Sequence, residues 1–119
     1  MKRSEASEQM ILIQWCDLNK CVYPELGLIF HIPNGGTRNK IEAINLKKQG
    51  VKAGVPDLFL PVPRGEFHGL FIELKYGNNK ATPKQREWLI ELSKQGYYAV
   101  VCNGFDEAKA TIESYIKMT

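Results

Sequence analysis

The spacing of apolar residues divides this chain into alternating helices and strands. Ile11, Leu12 and Trp15 recur at helical offsets and predict a helix over 4–20. The continuous run Leu28-Ile29-Phe30-His31-Ile32 predicts a strand over 28–33, followed by a turn at 34–37 and a helix over 38–49. Two further apolar runs predict strands at 57–62 and 69–76, and Pro63-Arg64-Gly65-Glu66 between them has turn composition. Thr82-Pro83 opens a helix over 83–95, Tyr97-Tyr98-Ala99-Val100-Val101-Cys102 reads as a buried strand over 97–102, and a last helix covers 105–117. A hairpin followed by a crossover helix and another strand gives an α/β fold with one central mixed β-sheet flanked by helices, the 97–102 strand lying beside the 69–76 strand.

Polar residues that interrupt these runs carry the candidate chemistry. A hairpin centred on Gly65 sets Asp57 directly across from Glu73, and strand alternation puts Glu73 and Lys75 on one face. Two carboxylates that close repel unless a cation lies between them. Mg²⁺ suits such a site, with Mn²⁺ expected to substitute, since both take oxygen ligands. Asp57 and Glu73 would hold the ion, which activates water and neutralises a phosphate, and Lys75 would orient that water or stabilise the transition state. The plain alternative is an exposed hairpin with a surface Glu73/Lys75 pair.

Pro56-Asp57, then Glu73-Leu74-Lys75 after fifteen intervening residues, resembles the PD-(D/E)xK nuclease superfamily. Within it the chain resembles small stand-alone VRR-NUC domains of phage and bacterial type, through His31-Ile32-Pro33-Asn34-Gly35-Gly36-Thr37-Arg38, Gly50–Leu58, Ile72-Glu73-Leu74-Lys75 and Thr82-Pro83-Lys84-Gln85. The resemblance implies a restriction-endonuclease-like core, Mg²⁺-dependent hydrolysis of DNA to 5′-phosphate products, a preference for Holliday junctions or flaps, and a homodimer. It also implies that the Leu74 backbone carbonyl joins Asp57 and Glu73 on the metal. A different class is an alternative: a DNA-structure-binding module with the nuclease fold that needs a partner protein to cleave.

Two residues on helix faces extend the site. Glu8 shares the stripe of Ile11, Leu12 and Trp15, where an acid needs a reason. It is either an additional metal carboxylate, matching the first-helix glutamate of related nucleases, or a first-turn acid favoured by the helix dipole. Gln85 lies in line with Trp88, Leu89 and Leu92. It either completes a capping box with Thr82 or, as in similar nucleases, sits beside the metal. His31 reads as a hydrogen-bonded core or rim residue before a general base, and His68 as exposed.

Composition narrows the picture without changing it. The 119 residues, 44% hydrophobic and 24% charged, suit one globular unit over 1–119. No apolar stretch reads as a signal core or a membrane span, so an intracellular protein, bacterial or phage-encoded, is expected. Three cysteines without a paired spacing argue against structural zinc and a disulfide framework. Net charge is only +3, but between 38 and 52 stand Arg38, Lys40, Lys47, Lys48 and Lys52 against Glu42 alone. Arg38, Lys48 and Lys52 are the expected phosphate contacts, with Asn34 bordering the substrate groove; a solvated helix face and a plain connector are the alternatives.

Overall fold

The computed structural model describes residues 2–33 and 39–119. Helix α1 (Glu5–Leu18) starts at an N-cap, Ser4, whose hydroxyl accepts from the Ser7 amide while Ser7 Oγ accepts from the Ser4 amide. A 3₁₀ turn (Pro24–Leu28) leads to β1 (Phe30–His31), then α2 (Lys40–Lys48), β2 (Leu58–Leu60), β3 (Leu70–Lys75), α3 (Pro83–Lys94), β4 (Tyr98–Asn103) and α4 (Gly104–Ile116). The sheet order is β1-β2-β3-β4, antiparallel except for the parallel β3/β4 pair joined by α3. This is the mixed sheet and crossover expected from the sequence.

Two strands are shorter than their apolar runs. Pro24 and Gly27 turn the chain into the 3₁₀ segment, so β1 keeps only two residues of 28–33. In β2 Pro61 has no amide to give to a ladder, and the Val62 amide bends back to the Leu60 carbonyl at 2.9 Å. The hairpin closes through Arg64 and Phe67, one residue out of step with Leu58↔Ile72, Phe59↔Phe71 and Leu60↔Leu70. An extra residue before the turn absorbs the difference.

One sheet face forms the core. Leu58, Leu60, Leu70, Ile72, Leu74 and Cys102 pack against Leu12 and Cys16 of α1 and Ala108, Ile112, Tyr115 and Ile116 of α4. Each buried Leu or Ile contributes about 1.5–3 kcal/mol. The buried Tyr115 hydroxyl donates to the Val62 carbonyl at 2.6 Å, fixing the end of the hairpin to α4. The opposite face carries Phe59, stacked on Phe71 at 4.2 Å, and then Glu73 and Lys75. Helix α3 packs over β4 on this side through Leu89. Among the described residues no helix is long and apolar enough to cross a membrane, and Cys16, Cys21 and Cys102 are free thiols.

Candidate active site

The β2/β3 register, continued by one position, sets Asp57 opposite Glu73, as the sequence predicts. Asp57 lies just before β2, and its backbone is held from the β1 side: its carbonyl accepts from the Ile32 amide at 2.7 Å and meets the His31 ring nitrogen Nδ1 at 2.9 Å. His31 is thus an exposed rim residue that fixes Asp57. Because backbone groups alternate in direction along an antiparallel ladder, Asp57 and Glu73 fall at a non-hydrogen-bonded pair, where side chains stand closest. Asp57 Oδ2 accepts from the Leu74 amide at 2.7 Å. Pro56 falls across from Leu74 and has no amide to offer the Leu74 carbonyl, so the ladder opens at the acids.

Glu73 is 1% exposed and Lys75 is 7% exposed. The Lys75 ammonium stands 3.5 Å from Glu73 Oε2, while buried Oε1 has no hydrogen-bond partner among the described residues. Burial first, then the neighbouring Asp57 carboxylate, pushes the Glu73 carboxyl up to about 8, against the opposing pull of Lys75. A buried, proton-retaining acid beside a second carboxylate is a costly arrangement in the absence of a cation. The orphaned Oε1 and the hard oxygen donors fit a divalent ion such as Mg²⁺, which Asp57, Glu73 and the Leu74 carbonyl would hold.

Glu8 is fully buried in the core stripe, as its spacing predicts, but its oxygens are engaged elsewhere. Arg3 donates to Oε1 at 2.8 Å and to Oε2 at 3.2 Å, and the Phe105 amide at the start of α4 donates to Oε1 at 3.1 Å. The Arg3 hydrogen bonds, then the Phe105 amide, hold the Glu8 carboxyl below its usual range. Gly104, at φ +79°, lets the α4 backbone approach, since a Cβ there would stand 3.2 Å from Glu8 Oε1. No group of three metal-ligating side chains forms among the described residues. Through its bonds to Arg3 and the Phe105 amide, Glu8 ties α1 to α4. Gln85 takes the capping role, its Oε1 accepting from the Thr82 amide at 2.9 Å while Thr82 Oγ1 accepts from the Gln85 amide at 3.2 Å.

A model of the VRR-NUC domain matches residues 3–106 of this chain. The chain belongs to the VRR-NUC family. It is also similar to a solved structure described as a VRR_NUC domain protein, at 38% identity and a TM-score of 0.83, covering 99% of this chain and 92% of that one. No curated protein matches. The VRR-NUC fold seen here is the restriction-endonuclease-like α/β arrangement, and membership makes the chain a nuclease-type module.

The basic surface of this VRR-NUC chain is arranged differently from its order in sequence. Arg38 and Asn34 lie outside the described residues. Lys52 lines a groove between α2 and α3 together with Lys47, Lys84 and Trp88. Helical spacing puts Lys48 on the opposite side of α2, beside exposed Ile41 and Ile44. Lys84 and Trp88 are missed by a reading that takes Trp88 as core with Leu89. Their offset of four residues, which puts a lysine and an indole side by side on one helix face, is the signal that finds them.

Proposed function

We propose that this VRR-NUC chain is a Mg²⁺-dependent DNA endonuclease that hydrolyses phosphodiester bonds, accepts Mn²⁺, and prefers branched DNA such as junctions or flaps. One observation carries the reading: buried Glu73, faced by Asp57 and flanked by Lys75, keeps an oxygen without a partner at the point where the sheet opens. When bound there, the cation supplies charge that neutralises phosphate oxygens and makes water a better nucleophile. Asp57, oriented by the Leu74 amide, and Glu73, as its carboxylate, would hold the ion. Lys75 sets a second, compact positive charge against the negative charge that develops on the phosphate. Lys52, in the groove between α2 and α3, binds the strand through its phosphates. Gln85, at the α3 N-terminus, borders the substrate path.

A homodimer would let two such sites address opposing strands of a junction. Ile41, 72% exposed, and Ile44, 55% exposed, on one face of α2 support a partner there. The binding-module alternative draws on one observation: Arg3 and Phe105 occupy Glu8, which leaves two carboxylates for a metal. The deciding experiment compares cleavage of matched linear, flap and four-way-junction DNAs with and without Mg²⁺, for the native chain and for Lys75→Ala. Metal-dependent cutting that disappears in the variant is the expected result. Binding without cutting in any metal would establish the binding module instead.

A further inference from the structure

The groove between α2 and α3 encloses about 520 Å³, within the roughly 300–1,000 Å³ typical of small-ligand sites. Leu46, Val51 and Trp88 line its apolar part, and Lys47, Lys52 and Lys84 surround it. None of the three lysines forms an ion pair among the described residues. The Trp88 indole is pinned edge-on, its N–H donating to the Ala53 carbonyl at 3.1 Å. Gly54 makes this contact possible: at φ +90°, a Cβ would stand 2.7 Å from Lys84 Cγ and 3.0 Å from Trp88 Cδ1. On its other side the indole borders Glu87 and Glu91 with Lys84, a net negative set, whereas the α2 side carries lysines alone, so charge directs an anion to the α2 side.

A half-buried aromatic ring ringed by lysines on one side suits one ligand chemistry, a flat base attached to phosphates. We infer that this groove seats an unpaired nucleotide of single-stranded DNA, stacked on Trp88, with Lys47, Lys52 and Lys84 on the adjoining phosphates. The inference rests on the nuclease reading for its purpose and sharpens the substrate to DNA with a single-stranded flank. The segment from Lys52 at the groove to Asp57 at the acids is continuous. Five residues of chain span at most about 18 Å, so a strand held in the groove lies within a few nucleotides of the acids.

The test is done in EDTA, so that binding is read without cleavage. In a Trp15→Phe background Trp88 is the remaining tryptophan of two, and its emission is followed while a short oligothymidylate is added. Quenching is expected, as is roughly tenfold weaker binding of the labelled oligonucleotide by Trp88→Ala. The combined Lys47→Ala, Lys52→Ala and Lys84→Ala variant, whose changes are on the surface, should lower the salt dependence of binding by a slope of about 2. Unchanged Trp88 emission would overturn the inference. So would a lysine variant with native affinity and salt slope, or a folded Trp88→Ala protein with native affinity, since the groove would then hold phosphate without a base. A parallel Mg²⁺ cleavage assay separates the two readings: cutting with no groove effect sinks the groove alone, whereas groove binding without cutting sinks the hydrolase alone.

Discussion

Asp57 Oδ2 accepts the Leu74 amide at 2.7 Å, so half of this carboxylate is committed to its own orientation and half is left for chemistry. Asparagine can still offer an oxygen to that amide, whereas alanine cannot. Asp57→Asn is expected to keep the native urea midpoint or raise it, because it also relieves repulsion with Glu73, yet to lose any stabilisation by Mg²⁺. Asp57→Ala should lose about 1–3 kcal/mol by leaving the Leu74 amide unpaired. Urea denaturation of both variants, with and without Mg²⁺, checks the contrast.

Stability without metal should depend on pH through Glu73. Its carboxyl titrates near 4.5 when exposed and near 8 in the folded chain, so between these values the folded state holds the extra proton. Stability from this group is then fully present below about 4.5 and is lost as pH rises through about 8. The melting temperature in EDTA should climb as pH falls from 8 to 5, and Glu73→Gln should flatten that climb. Mg²⁺ should stabilise the native chain most at the alkaline end, where Glu73 is ionised. A native profile that rises with pH in EDTA would contradict the assignment.

The Glu8 carboxylate acts in the opposite sense, since its folded value is lowered and its contribution fades as pH falls through that value. Its structural role predicts coupling with Arg3. Glu8→Ala should destabilise the fold by about 1–3 kcal/mol through the unpaired Phe105 amide and the lost contacts. In an Arg3→Ala background the same change should cost less. A double-mutant cycle by urea denaturation measures the difference, and Mg²⁺ affinity should stay native in Glu8→Gln.

Gly54→Ala should cost about 1–3 kcal/mol, because φ +90° disfavours any side chain and the new methyl meets Lys84 and Trp88. The displaced indole should emit at an altered wavelength. Calorimetry and Trp88 fluorescence in the Trp15→Phe background read both effects.

The sequence made the site more legible than its surroundings. The pairing of Asp57 with Glu73 is legible from strand alternation, because a one-residue slip would turn every side chain of the hairpin to the wrong face. Closure at Arg64 and Phe67 alone would pair Asp57 with Leu74, and the extra residue before the turn restores the register. The burial of Glu8 was legible from Ile11, Leu12 and Trp15. Its partners were not, because the Phe105 amide is brought near only by the packing of α1 on α4. Strand ends are not legible where apolar runs outlast backbone pairing, as at Pro61. The Lys47, Lys84 and Trp88 groove brings together residues up to about forty positions apart, and no local pattern joins α2 to α3.

Pro56 behaves like the stop on a zipper. A sheet that stayed paired to its ends would bury its polar groups against one another and leave none for a substrate. By ending the ladder opposite Leu74 with a residue that cannot donate, the chain leaves a small, rigid fork whose unspent oxygens face the same gap. An ordinary residue at position 56 would let the strands close one rung further. Because the Pro56 ring is fully buried, that change would also be felt in the packing beneath the fork.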